Sequence, residues 1–447
     1  MTQASFKDRL MNYKLYGMPF PYFLLAAAVV FAATFLGVLP VGMAGCFALM
    51  IVIGAILGEI GDKTPIVKSY LGGGAIVIIF GVGLLQYFGF FPKDVYDNIS
   101  TFFKPTGAFL DFYIAALITG SILGMNRKLL VKAAARYFPA IFGCIIFSFA
   151  FAALIGAVTG YGVVKTLLLI ALPIIGGGMG AGAVPLSKIF EAGGAMTAAE
   201  AISIMTPAVA IGNALSIVMA GIIVKVVKSK KMNGEGKLIA RGVDPQELEV
   251  SREMKAARER IDLSQLGIGL LVSCAFFAFG YIVAKGWGLL GTGISIHAYA
   301  WMIITVAVFK IFQLLPEKIE IACYQWFQFI MKNLTGALLV GIGLVYLDLG
   351  TVIESFTLTY LVLCLVTVLG AFLGAALVGR VVGFYPVESG ITAGLCMSNM
   401  GGTGDVAVLS AANRMELMPF AQISSRLGGA IILLIGSLML SLLGGML

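Results

Sequence analysis

VVKTLLLIALPIIGGGMGAGAVPLSKIF, residues 163–190, is apolar at both ends and broken in its middle. The interruption GGGMGAGAVP (176–185) follows Pro173 and ends at Pro185. Proline removes a helical donor, and glycine is a poor helix former, so the run reads as two short helices and not one long one. Each arm has about 10–14 residues and, at 1.5 Å per residue, reaches only about 15–21 Å. That falls short of the roughly 30 Å of a bilayer's hydrocarbon. A second stretch, YPVESGITAGLCMSNMGGTGDVAVLSAAN (385–413), repeats the plan, with NMGGTGD (399–405) at its break. Both read as re-entrant helical hairpins whose tips meet inside a membrane. Non-helical backbone at that depth is tolerated only where protein or a wet cavity covers it. The bland alternative is a tightly packed, unbroken helix, but that needs small residues spaced by three, not clustered between prolines.

Composition supplies the membrane. Of 447 residues, 60% are hydrophobic and 12% are charged, and mean hydropathy is +1.01. A soluble domain carries about 25% charge, so a soluble enzyme, a secreted module and a disordered chain are excluded. Glycine, 57 residues, is nearly twice its usual share of about 7%. Such excess calls for close helix packing or broken backbone. Eleven full spans are expected near 20–39, 41–58, 71–91, 109–125, 137–160, 198–223, 264–286, 295–315, 332–349, 357–379 and 418–446. The fold class is thus an all-α polytopic membrane protein of eleven transmembrane helices plus two re-entrant hairpins. The cysteines at 46, 144, 274, 323, 364 and 396 are scattered through apolar segments. They read as small core residues, not as disulfides or a metal site. His297, the one histidine, has no His or Cys partner nearby.

Net charge is +8, and its placement orients the chain. With the N-terminus inside, inner loops hold 24 of the 30 Lys and Arg. Outer loops hold Lys93, Lys104, Lys165, Lys188 and Lys285, while Arg426 lies within a span. Basic residues accumulate on the cytoplasmic side, so a cytoplasmic N-terminus and an external C-terminus follow. The basic loop 224–263 is expected to be a solvated helical linker, not a nucleic-acid site. The same assignment sends the first hairpin in from outside and the second from inside. With residues 1–40 set apart as an N-terminal segment and first span, two units remain. Residues 41–223 hold five spans with hairpin 163–190, and residues 264–447 hold five spans with hairpin 385–413. Their first spans run in opposite directions, which is an inverted-topology repeat. GGMGAGAVPLS (177–187) resembles GGTGDVAVLS (401–410) with one gap, and Ala201-Ile202-Ser203 falls beside Gln422-Ile423-Ser424. Secondary transporters use this plan and bind cargo at broken helices near mid-membrane.

Arg426 is the sharpest chemical signal. A guanidinium inside a span costs roughly 2.5–3.5 kcal/mol on insertion scales, and it stays charged. It either binds a carboxylate or snorkels to the inner surface. Ser424 and Ser425 precede it, and Gly428-Gly429 allow close approach. Broken tips expose N–H groups where a half-helix starts, which suits a carboxylate, and carbonyls where one ends, which suits sodium. Thr403, Ser187, Ser410, Asn399 and Asn413 supply further oxygens, or simply cap helices. Asp405 is expected to cap the following half-helix, with a sodium site as the alternative. Asp111, Asp348 and Glu388 are expected to be rim charges. No acid falls convincingly at the centre of a span, so sodium coupling is favoured over proton coupling. VTGYG (158–162) looks like a potassium-filter loop, but it ends a span, without a preceding pore helix. HExxH, GxSxG and Walker A motifs are absent, so an intramembrane enzyme has nothing to work with.

GGGMGAGAVPLS (176–187), ITAGLCMSNMGGTGD (391–405), LSAANRM (409–415) and AQISSRLGG (421–429) together resemble the 2-hydroxycarboxylate transporter family, the bacterial sodium–citrate and malate symporters. The resemblance covers nearly the whole chain. It implies a homodimer in the cytoplasmic membrane and an elevator-type movement of a transport domain holding both hairpins. By position, Arg426, Ser425, Thr403, Gly402, Met400, Met179 and Gly180 would line the substrate. Sodium would lie near Gly177, Asn399, Ser425, Thr403, Cys396 and Gly401. Citrate carriers of the family resemble GGGNG and ANRGG at the two tips, where this chain has Met179 and Met400. One polar contact and one cation are therefore missing. An unpaired carboxylate in a dry site is costly, so a dicarboxylate such as L-malate is expected ahead of citrate. A proton-coupled hydroxy-acid carrier or a substrate/product exchanger on the same scaffold is the alternative.

Overall fold

The computed structural model describes residues 10–67, 73–103, 108–124, 127–239, 262–290 and 296–447; of 127–136, 402, 403, 416 and 419 it describes the backbone only. A two-stranded hairpin, β1 (Lys14–Leu15) and β2 (Met18–Pro19), opens the chain. The helices that follow are α1 (Phe20–Phe35), α2 (Met43–Lys63), α3 (Gly74–Tyr87), α4 (Lys93–Phe103), α5 (Phe109–Leu123) and α6 (Arg127–Val158). Next come α7 (Val163–Ile174), α8 (Val184–Ala192), α9 (Ala198–Val226), α10 (Leu263–Leu289), α11 (Ala298–Ile311) and α12 (Glu317–Gly341). The last are α13 (Leu349–Ser355), α14 (Leu358–Val381), α15 (Pro386–Ser389), α16 (Gly402–Ala412), α17 (Met418–Ile423) and α18 (Gly429–Leu443).

Among the described residues, seven helices are long and apolar enough to cross a membrane: 43–63, 137–158, 198–226, 263–289, 317–346, 358–381 and 420–446. The protein is therefore an all-α, multi-pass membrane protein. The expected spans near 20–39, 71–91, 109–125 and 295–315 fold as α1, α3, α5 and α11, of 14–16 residues each. At 1.5 Å per residue these reach about 21–24 Å. The expected span 332–349 is corrected. Its helix starts at Glu317 and includes residues read as an inner loop. The charges that suggested a loop are absorbed by packing: Glu320 accepts a hydrogen bond from Lys310 at 2.7 Å, and Lys310 is buried.

The chain divides into two compact units that interleave in sequence, residues 1–111 with 332–349, and residues 112–331 with 350–447. In the first unit, glycine lets backbones touch. A Cβ built on Gly54 of α2 would stand 2.8 Å from the main chain of Gly336, and one on Gly61 2.7 Å from Gly74. Tyr13 donates to Glu59, tying the strand hairpin to the end of α2. In the second unit, α6 and α14 pack along their lengths in the same way. A Cβ on Gly370 would lie 2.7 Å from the Phe147 carbonyl oxygen, and Ser148 donates to the Thr367 carbonyl at 3.1 Å. Small residues at such crossings replace a hydrophobic driving force that lipid cannot provide. Five cysteines are buried as small core residues and Cys274 is exposed. VTGYG forms the turn after α6, with Gly160 and Gly162 at positive φ. His297 caps α11, accepting from the Tyr299 N–H at 3.2 Å.

Candidate functional site at two helix breaks

Both interruptions read from the sequence are present in the second unit. The first lies between α7, which ends at Ile174, and a π turn at Met179–Ala183 that continues into α8. The second lies between a π turn at Gly390–Leu395, which extends α15, and α16. Gly177, Gly178 and Gly401 have φ of +85°, +94° and +68°, conformations that a side chain makes costly. Close approach adds a second requirement. A Cβ on Gly178 would stand 2.8 Å from the main chain of Met400, and one on Gly177 2.8 Å from the Ser425 carbonyl oxygen. The two breaks therefore touch each other and a third segment. That segment, Ser424–Gly428, is itself a π turn joining α17 to α18. π turns expose backbone groups and frequently mark functional sites.

A polar core sits at this junction. Asp405, one turn into α16, is fully buried. Its carboxylate accepts from Asn399 Nδ2 at 3.0 Å and from Ser425 Oγ at 2.9 Å. Asn399 Oδ1 in turn accepts from the Gly401 N–H at 2.7 Å. Asn213 of α9, also fully buried, accepts from the Met400 N–H through Oδ1 at 3.1 Å. Ser216, one turn further on, donates to the Ser398 carbonyl at 3.2 Å. These bonds pin the second break to α9. Ser424 shares a 2.7 Å hydrogen bond with the hydroxyl of Tyr137. Beside Ser425, the guanidinium carbon of half-buried Arg426 lies 5.8 Å from the centroid of the Phe327 ring, within cation–π range.

Of the substrate residues expected from the sequence, Arg426, Ser425 and Met400 converge here. Met179 is buried in the π turn after the first break, and a Cβ on Gly180 would lie 3.9 Å from the Tyr113 hydroxyl. Of the sodium residues, Gly177, Asn399, Gly401 and Ser425 come together, and Cys396 is fully buried at the start of the second break. Gly402 and Thr403 begin α16; the Thr403 side chain lies outside the described residues. Ser187 and Ser410 stand apart. Ser187 bonds back to the Val184 carbonyl at 2.8 Å, and Ser410 faces Met415 Sδ at 3.4 Å. Asn413 closes α16 in the left-handed conformation.

Two expectations are corrected. Asp405 does not cap α16. The cap is Gly401, without a side-chain bond, and the carboxylate turns to Asn399 and Ser425 instead. Glu388 is no rim charge: it is fully buried and accepts from the Gly234 N–H at 2.8 Å and from Arg414 Nε at 3.4 Å. Asn213 and Tyr137 lie outside the motifs that mark the site in the sequence. For Asn213 the signal was available, an amide in the middle of an apolar span.

The junction sets a carboxylate and a guanidinium one residue apart along a single π turn, Ser425 holding the first and Arg426 carrying the second. Half-helix ends at Ile174 and Leu395 offer carbonyls, and the start of α16 offers N–H groups. Such an arrangement can hold a cation and an anion side by side. Among the described residues, no group of three His, Cys, Asp or Glu side chains could cage a metal.

Sequence comparison agrees with this picture. Residues 15–438 match the profile of the 2-hydroxycarboxylate transporter family. The chain is 40% identical over 433 residues to the malate transporter MleP of Lactococcus lactis, covering 97% of this chain and 99% of that protein. It is 38% identical over 449 residues to the citrate/sodium symporter of Salmonella typhimurium, covering 99% of each. It is 37% identical over 403 residues to the citrate transporter CitP of Leuconostoc mesenteroides, covering 90% of this chain and 88% of that protein. With a multi-pass helical fold, two broken helices meeting at a charged junction and a match along almost its whole length, the chain belongs to the 2-hydroxycarboxylate transporter family and is a transporter, not an enzyme.

Proposed function

We propose that the protein is a secondary active symporter that carries a 2-hydroxycarboxylate together with sodium ions across the bacterial cytoplasmic membrane, with L-malate preferred and citrate second. The observation that carries this reading is the shared π turn. Ser425 hydrogen-bonds the buried Asp405 carboxylate at 2.9 Å, and the next residue is Arg426. A sodium ion taken up beside Asp405, Asn399 and the Gly177 and Gly401 backbone would order the turn that aims Arg426. A substrate carboxylate on Arg426 would order it in return. Coupling of that kind is reciprocal, each ligand raising the other's affinity by the same factor.

Substrate preference follows from what stands at the tips. Met400 and Met179 bring no charge and no strong hydrogen bond, so Arg426 is the cation at hand for a carboxylate. Two carboxylates and a hydroxyl suit one guanidinium plus the N–H groups of Gly402 and Thr403 better than three carboxylates do. Similarity to a malate transporter at 40% identity and to citrate carriers at 37–38% supports a cargo of this class.

The two breaks would be the tips of re-entrant hairpins entering from opposite faces, within inverted repeats 41–223 and 264–447. The N-terminus would face the cytoplasm, the C-terminus would lie outside, and a homodimer would hold one part of each protomer static while the other moves elevator-fashion. Uptake of labelled malate and citrate into proteoliposomes, with and without an inward sodium gradient, tests the function. Sodium-driven malate uptake exceeding citrate uptake is the expected result. The burial of Asp405 favours one rival, a proton occupying that carboxylate in place of sodium. Uptake driven by a pH gradient in sodium-free buffer would select it.

A further inference from the structure

The linker expected as a solvated helix over 224–263 is corrected: helix α9 ends at Val226, residues 227–239 are non-helical, and 240–261 lie outside the described residues. Residues 227–239 fold back along the foot of the second broken element. The Met232 carbonyl accepts from the Val387 N–H and the Leu238 carbonyl from the Tyr385 N–H, each at 3.0 Å, and Ile239 pairs with Phe384 in an isolated bridge. The strap is internally braced, for Asn233 Nδ2 donates to the Val227 carbonyl at 2.9 Å. Its centre is a buried charge cluster. Glu388, fully buried in α15, accepts from the N–H groups of Gly234 at 2.8 Å and Gly236 at 3.3 Å, and from Arg414 Nε at 3.4 Å. Arg414, just beyond α16, donates through Nη2 to Asn233 Oδ1 at 3.0 Å. Glu388 belongs to the first arm of the element and Arg414 follows the second arm. The strap therefore joins both arms at the end opposite the break.

We infer that Glu388, Arg414 and Asn233 are positioning residues that set the second break from a distance, with strap 227–239 as a clamp across its two arms. The inference rests on the transport reading for its functional arm. The physical reason is leverage. α16 is eleven residues long and starts at the junction, where Asp405 meets Ser425 and Asn399; it ends beside Arg414. A helix transmits displacement along its axis because its hydrogen bonds resist stretching. If the clamp opens, α16 is free to slide or tilt and Asp405 parts from Ser425. A buried ion pair is a poor source of stability, and removing one partner strands the other. Its use as a register device fits a segment whose two arms must keep a fixed offset.

Glu388→Gln removes the charge and keeps the shape, and Asn233→Ala is a milder second variant that loosens Arg414 without stranding a charge. Both are compared with the unaltered protein in two assays. Hydrogen exchange of the purified protein is expected to rise at 396–412 as well as at 228–239. The sodium concentration giving half-maximal malate uptake is expected to rise about three- to tenfold in Glu388→Gln, equivalent to roughly 0.7–1.4 kcal/mol, while maximal uptake per folded protein holds. Glu388→Asp, which keeps the charge, is expected to recover part of the shift. A merely structural role would lower the amount of active protein and leave half-saturation where it was. Exchange that rises only within 228–239, with unchanged sodium dependence, would overturn the inference. If the unaltered protein shows no sodium-dependent uptake, the transport reading fails, and exchange at 396–412 still decides the clamp. Should Glu388→Gln not fold, Asn233→Ala decides both arms.

Discussion

Replacing Asp405 by Asn keeps the outline of the side chain and removes its charge. The carboxylate now accepts from Asn399 Nδ2 and Ser425 Oγ. An asparagine there can still accept from Asn399 and can turn its own amide toward Ser425, whose hydroxyl is able to accept as well as donate. Asn399 need not flip, which would cost its bond to the Gly401 N–H at 2.7 Å. The sodium-free protein should therefore lose little, because weaker neutral bonds are offset by the absence of a buried charge. A bound cation loses much more. A unit charge about 4 Å away is worth about 4 kcal/mol at an effective dielectric constant of 20, which is roughly a thousandfold in affinity. Relaxation of the junction reduces this, and we expect a weakening of at least tenfold. Thermal unfolding followed against sodium, with choline as the control cation, reads the effect directly. The unaltered protein should rise in Tm with sodium at concentrations where Asp405→Asn stays flat, while the two melt within a few degrees of each other in choline. A sodium midpoint moved by less than about threefold would refute the assignment of Asp405 to the cation, since even surface charges contribute on that scale.

Three further outcomes follow from the same geometry. Arg426→Ala should abolish malate uptake while the protein still folds, because the residue is only half-buried; normal transport would remove Arg426 from the site. Met400→Arg should raise citrate affinity relative to malate by supplying the second cation, and an unchanged ratio in a proteoliposome competition assay would sink the substrate argument. Gly178→Ala should cost about 1–3 kcal/mol for the backbone alone, because φ +94° with ψ −165° is open essentially only to glycine. Its Cβ, 2.8 Å from the Met400 main chain, should also push the two breaks apart, so that uptake falls further than the loss of Tm explains. Full uptake by that variant would show that the breaks need not touch.

Much of the site was legible because its signals are local. Apolar runs of span length, glycine clustered beside proline at 173–185, and an arginine inside a hydrophobic stretch are properties of neighbouring residues. They sufficed for an all-α, multi-pass membrane fold, for the two breaks and the place of Ser425 beside them, and for the family. Burial of a charge is not local. Asp405 read as a helix cap because a carboxylate in a first turn usually is one. Only folding brings Ser425, 20 positions on, within 2.9 Å of it. Glu388 read as a rim charge, yet its partner N–H at Gly234 is 154 positions away. Asn213 is 187 positions from the Met400 N–H that it holds.

The division has one physical cause. Water or lipid around an isolated segment sets its hydrophobic pattern and backbone preferences, so composition and spacing by themselves determined that this chain is membrane-embedded, helical and broken twice. Whether a polar group is paired, and with what, depends on which segments the tertiary fold packs against it in a medium that offers no water as a substitute. That decided the carboxylate between Asn399 and Ser425, the amide under Met400, the seating of the Ser424–Gly428 π turn against the first break, and the clamp at the foot of α15 and α16.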